Sequence, residues 1–252
     1  MLTSRRVVER LLFGLLSRDR LLGPQAVVDN GSVRFPWVKV TKPQRHALYL
    51  NDETLAHGTR LLSRRDEDLR RVVKKFGAPP LWARESGFST LLHIILEQQV
   101  SLASARAAHN KLLELSSPLT PHGFLELDDA TLKTVGFSRQ KTLYGRELAR
   151  SLVEGSLDLD GLRSMDDATV RSELIRIKGI GRWTADIYLL MVLRRPDIWP
   201  TGDLALAVAA QKVKRLQSRP TQEELDEMST AWKPWRAVAA RILWHYYLSE
   251  VA

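Results

Sequence analysis

Cysteine is missing altogether from the 252 residues. Its absence excludes a disulfide framework, thiol nucleophiles and thiolate zinc sites, and it fits a reducing interior. Long apolar runs are missing too: no stretch approaches the roughly 20 residues that a membrane-spanning helix needs, so no membrane partner is expected. The nearest thing to a targeting signal is Ser4-Arg5-Arg6 ahead of Leu11-Leu12-Phe13-Gly14-Leu15-Leu16. Glu9 and Arg10 interrupt the approach, Arg18-Asp19-Arg20 ends the apolar run, and no small-residue cleavage site follows. The segment therefore reads as an amphipathic helix and not as an export signal. Internal repeats and low-complexity tracts are also lacking. What is present is a 44% hydrophobic content, enough for a sizeable core in one large or two small domains without metal or disulfides. Positive charge is in excess, with a formal +9 and a pI near 10.0, which favours a polyanionic partner without identifying it.

Residues 1–63 differ in pattern from residues 64–252. After the short basic helix, Asp29-Asn30-Gly31 stands between two apolar runs within residues 25–35, a turn signal for a β-hairpin, and Pro36 and Pro43 break up any long strand. From Arg64 onward apolar residues recur at three- and four-residue spacing in ten segments: 68–76, 88–99, 101–115, 128–135, 140–154, 166–177, 183–194, 203–216, 221–232 and 235–248. Asp166 and Thr221, with Glu224 three residues on, read as helix caps, and Gly77 and Gly155 as stops. The expected fold is mainly all-α, with residues 1–63 as an N-terminal extension of unassigned role and residues 64–252 as the main domain.

Leu174 to Leu206 is the most informative stretch. Gly179-Ile180-Gly181 separates two helical patterns, and Gly202-Asp203 follows about twenty residues later. Two glycines allow a turn that needs positive φ or close backbone approach, and the helix opening after them exposes free N–H groups that can hold a phosphate. Lys178 and Arg182 flank the turn with charge suited to a DNA backbone. This arrangement resembles the helix-hairpin-helix DNA glycosylases. The resemblance implies two helical subdomains, a hairpin that grips the phosphate backbone, and an aspartate, here Asp203, facing the target nucleotide at the cleft between them. Trp183, the Trp232-Lys233-Pro234-Trp235-Arg236 run and Ile95 to Ser101 further resemble the alkylation-repair branch, DNA-3-methyladenine glycosylase II, over residues 64–252. Bifunctional members carry a nucleophilic lysine where this chain has Trp183, and iron–sulfur branches need four cysteines that this chain lacks. The three-domain bacterial members have a larger N-terminal α/β domain than residues 1–63 can supply.

Each candidate residue has a plainer alternative. Asp203, the expected catalytic carboxylate, also suits an ordinary N-cap for the helix that follows. The two roles cooperate, because a helix N-terminus favours an anion and an anion stabilises the charge that develops on the sugar. The resemblance places Trp183 and Trp244 beside the flipped base, although tryptophan is usually core. A tryptophan face attracts a cationic methylated purine, which is itself a good leaving group, so one carboxylate can suffice. Lys178, Gly179, Gly181, Arg182 and Thr184 are candidate DNA contacts of the hairpin, with Ile177 and Ile180 as its core. Thr184 could instead cap the helix. Gln99 is in register with the side chain that relatives insert into the gap left by the extruded nucleotide, where the bacterial enzyme most similar in its motifs uses an aliphatic wedge. A solvated helix end explains it nearly as well. Arg139 and Lys141 could contact phosphates or form a simple basic loop, and Arg236 could contact phosphate or serve a structural role.

The expected activity is monofunctional excision of alkylated purines, 3-methyladenine and 7-methylguanine in type, from duplex DNA by a monomer. No cofactor or catalytic metal is required, although the resemblance implies a monovalent cation at the hairpin carbonyls. A DNA partner implies the nucleoid region of a bacterial cytoplasm or a eukaryotic nucleus. The rivals are a non-catalytic hairpin module and a glycosylase for oxidised or deaminated purines.

Overall fold

Side-chain caps start most of the helices. In the computed structural model, which describes residues 49–250, Asn51 caps α1 (Asp52–Arg65) with a reciprocal Asn51–Thr54 box, and Asp66 caps α2 (Glu67–Phe76). There follow α3 (Phe88–Glu97), α4 (Leu102–Leu115), α5 (Pro121–Glu126), α6 (Asp129–Thr134) and α7 (Arg139–Val153). Next come α8 (Asp167–Ile175), α9 (Arg182–Met191), α10 (Leu204–Val213), α11 (Gln222–Ser229) and α12 (Arg236–Glu250). Asp166 accepts from Ala168 and Thr169 N–H, and Thr221 and Glu224 form the expected capping box. Gly77 at φ +87° and Gly155 at φ +72° follow α2 and α7 in a conformation that only glycine adopts freely.

All ten expected helical segments are helical, and the described residues contain no strand. The expected hairpin at residues 25–35 lies outside the described residues. Two α-helices were not anticipated, α1 and the six-residue α5. Residue 64, where the main domain was expected to begin, lies near the end of α1. Leu55, Thr59 and Leu62 of α1 are buried, and Gly58 lies so close to Trp235 that a Cβ would sit 2.7 Å from the indole ring. This contact makes α1 part of the helical body.

α12 is buried continuously from Ala237 to Trp244 and packs against α1, α2 and α10, as expected of a helix apolar on every side. Arg241 is completely buried within it and donates to the carbonyls of Leu81 (2.8 Å), Ala237 (3.0 Å) and Leu190 (2.8 Å). Desolvation pulls its guanidinium down to about 9, which leaves it charged at neutral pH. A second group joins α3 to α4 and α7, with α5 and α6 also against α7. The α8–α9 pair packs onto this group through α3. The helices carrying Asp203 and Trp244 thus belong to one group, and those carrying Gln99 and Arg139 to the other.

Candidate active site

The turn between α8 and α9 has the geometry that its glycines imply. Gly179 takes φ +96°, and a Cβ there would fall 2.1 Å from Tyr144 Cγ, so both conformation and space require glycine. Gly181 caps α9 without a side-chain hydrogen bond, is exposed, and has open space where a Cβ would stand. The first N–H groups of α9 are therefore presented without a side-chain cap, the arrangement that suits an anion. Ile177 and Ile180 are buried beneath the turn. Arg171 on α8 donates to Asp186 Oδ1 on α9 through Nε (2.8 Å) and a terminal nitrogen (2.6 Å), bracing the pair. Burial pushes the Asp186 carboxyl up, against the pull of Arg171. Lys178 is exposed, and the Arg182 side chain is 63% exposed, its Nε 3.7 Å from Asp186.

Asp203 follows Gly202, which has φ +84°, and is itself the N-cap of α10, with Oδ1 accepting the Leu206 N–H at 2.9 Å. The same Oδ1 accepts Trp244 Nε1–H at 3.2 Å, and Oδ2 accepts Trp183 Nε1–H at 2.9 Å. Three N–H donors from three helices thus hold a carboxylate that is 8% exposed. The capping role expected of Asp203 is realised through Leu206, and the same carboxylate is held by two indole N–H groups. The two tryptophans expected to line a base pocket meet the carboxylate through their indole N–H edges, which fixes its orientation. Trp82 stands edge-on to Trp244 with ring centroids 6.5 Å apart, an aromatic neighbour that no sequence motif marked.

Gln99 lies two residues beyond the end of α3, exposed, with its backbone at φ +57°. A non-glycine residue in this left-handed conformation carries strain, which recurs at functional turns. Arg139 is exposed at the first position of α7. Three other expected DNA contacts turn inward. Thr184 is 2% exposed and its hydroxyl accepts from Gln98 Nε2 at 2.9 Å, so it buttresses the turn from inside. Lys141 donates to the Leu96 carbonyl at the end of α3, an orphan acceptor that a helix terminus leaves for such a cation. Arg236 clasps Asp197, with Nε to Oδ1 at 2.8 Å and a terminal nitrogen to Oδ2 at 3.0 Å, which selects its structural role. Gln98, which the sequence did not single out from its neighbour, links the turn at Gln99 to the turn at Gly179. Its signal is the glutamine pair itself, one member facing solvent and one facing in.

No group of three or more histidine, cysteine, aspartate or glutamate side chains that could hold a metal occurs among the described residues. The hairpin offers carbonyl oxygens instead: Ile177 O accepts Ile180 N–H at 3.0 Å and Gly179 O accepts Gln98 at 2.8 Å, each keeping one lone pair. A groove of about 560 Å³ between α1 and α2, lined by Arg60, Arg64, Arg70 and Lys74, shares no residue with this site. No helix among the described residues is long and apolar enough to cross a membrane.

The fold has counterparts in known proteins. The structure of the Schizosaccharomyces pombe 3-methyladenine DNA glycosylase in complex with abasic DNA superposes with a TM-score of 0.71 at 27% identity, covering 75% of this chain and 95% of that one. DNA-3-methyladenine glycosylase 1 of the same yeast is 27% identical over 190 residues, 73% of this chain and 83% of its own length. A Bacillus subtilis DNA-3-methyladenine glycosylase is 26% identical over 195 residues, 73% of this chain but only 64% of its own length. A model for the HhH-GPD superfamily base excision DNA repair proteins matches residues 92–236, which contain Gln99, the Gly179–Gly181 turn and Asp203. The chain belongs to the HhH-GPD superfamily of base excision DNA repair proteins.

Proposed function

We propose that this chain is a monofunctional DNA glycosylase that extrudes alkylated purines from duplex DNA and hydrolyses the N-glycosidic bond. The observation that carries this reading is the carboxylate of Asp203, held by Leu206, Trp244 and by Trp183 in the first turn of the helix that Gly181 opens. The relatives' names support the substrate class. The exposed N–H groups after Gly181, with Lys178, Arg182 and Arg139, hold the backbone; these contacts set register and carry no sequence information. Gln99 enters the stack and recovers part of the few kcal/mol that flipping costs.

A 3-methyladenine or 7-methylguanine base is a cation before it leaves, and the faces of Trp183 and Trp244 attract it. The bond from C1′ to the base nitrogen breaks with its electron pair going to the base, which departs neutral. Positive charge then develops on the sugar, where the fixed Asp203 anion stabilises the transition state more than the ground state. Water forms the new C1′–O bond, its proton passing to Asp203 or to solvent, and an abasic site remains. No step passes through a metal. The hairpin carbonyls would hold a monovalent cation that adds positive potential beneath a phosphate. With DNA as partner, the protein works as a monomer in the nucleoid of a bacterium or the nucleus of a eukaryote.

Mass spectrometry of bases released from methylated duplex DNA tests the reading. Wild-type protein should release 3-methyladenine and 7-methylguanine, and Asp203→Asn should lose on the order of 10²–10³-fold or more in rate with DNA affinity kept. Binding without any base release by the wild type would leave a non-catalytic module, and release of oxidised purines alone would change the substrate class.

A further inference from the structure

The wedge turn and the hairpin are far apart in sequence, yet one side chain spans them. Gln98 Nε2 donates to Gly179 O at 2.8 Å and to Thr184 Oγ1 at 2.9 Å, on either side of the turn that opens α9. A carbonyl only accepts, so the amide nitrogen must face it. Gln98 itself is extended at φ −60° and ψ 123°, and the next residue is the strained, exposed Gln99 at φ +57°. Gly179 rests against Tyr144 of α7, and Lys141 of the same helix holds the Leu96 carbonyl just before the turn. The turn at Gln99 and the hairpin therefore meet at a single amide, and α7 touches the hairpin at Gly179 and the end of α3 at Leu96.

We propose that Gln98 is a positioning residue that couples the phosphate grip of the hairpin to insertion of Gln99, so that a backbone held at Gly179–Gly181 sets the depth and angle of the wedge. The proposal rests on the glycosylase reading. Gln98 does not touch the base or the sugar. Its contribution is to make the turn at Gln99 move with the hairpin as one body, since two hydrogen bonds to a rigid turn remove the freedom that a strained loop residue would otherwise have. Without them the hairpin still binds phosphate, but a gap in the stack is no longer filled in register.

The test compares affinity for a duplex containing a tetrahydrofuran abasic analogue with affinity for the same duplex undamaged, read by fluorescence anisotropy. Wild type should prefer the abasic duplex. Gln98→Met, which keeps the side-chain length and removes the amide, should cut that preference about tenfold, the scale of losing two neutral hydrogen bonds, while binding to undamaged duplex changes little. Gln99→Ala should cut the preference too, and the double variant should be no worse than Gln99→Ala alone, because both changes break one coupled device. Thr184→Val, isosteric and lacking one acceptor, should give a smaller loss in the same direction and carries the test if Gln98→Met does not fold. An unchanged preference in a folded Gln98→Met, an equal fall on both duplexes, or additive losses in the double variant would each overturn the coupling. A wild type that neither prefers the abasic duplex nor releases methylated bases would instead remove the glycosylase reading, and the proposal with it.

Discussion

The indole N–H of Trp183 donates to Asp203 Oδ2 at 2.9 Å, so the residue standing where bifunctional relatives carry a lysine nucleophile here orients the carboxylate. Trp183 has two separable properties, an N–H that aims the anion and a ring that can face a cationic base. Trp183→Phe removes the first and keeps much of the second. The expected result is a fall in kcat of about tenfold, the scale of one charge-assisted hydrogen bond, with KM close to wild type. Trp183→Ala should raise KM as well. Wild-type kcat in the phenylalanine variant would show that Trp244 and Leu206 hold Asp203 unaided.

Gly181 has open space around its missing Cβ, so Gly181→Asp should fold while placing an anion where a phosphate would lie. Binding to all duplexes should weaken alike and the set of released bases should stay the same, because phosphate contacts position without specifying. Anisotropy titrations beside base-release profiles check this. A changed base profile at undiminished affinity would move this turn into the base pocket.

With an indole at position 183, no amine is placed to form an imine with the sugar. Borohydride should trap no protein–DNA adduct, and the product strand should stay intact until alkali or heat is applied. Lys178 is the nearest lysine in sequence and is exposed on the hairpin. Efficient trapping that vanishes in Lys178→Gln would replace the monofunctional mechanism with an imine-forming one.

Acid should weaken the helix that leads to the turn at Gln99. His93 on α3 stacks on His109 of α4 with centroids 4.4 Å apart, and Ser89, Glu97, Arg84 and Arg106 surround the pair. Burial is the main cause that pulls His93 down to about 4, and it lowers His109 as well. Between about 6.5 and about 4 the unfolded chain binds protons that the folded one refuses, so stability is full above the unfolded value and falls as pH drops through this window. Melting temperatures recorded from pH 7 to pH 4 should decline, and His93→Gln should flatten the decline. A flat wild-type profile would show that these rings accept protons without cost.

Local sequence determined much of this protein. Helix starts at Asp166 and Thr221 and the glycine stops after α2 and α7 depend on bonds within a few residues, so caps and three- and four-residue spacing were enough to find ten helices. The Gly179–Gly181 turn and Gly202-Asp203 were legible for the same reason. The helix Asp52–Arg65 was harder to read, because Gly58 weakens the pattern locally and is needed only by Trp235 across the fold. Which polar side chains stay at the surface was also beyond local reading. Arg236, Lys141 and Thr184 look like their neighbours in sequence, and only packing brought Asp197, Leu96 and Gln98 within bonding distance to turn them inward. The tertiary structure likewise brought together the donors on Asp203, 20 and 41 residues away along the chain, since a contact of that range is set by how whole helices pack and not by the residues beside it.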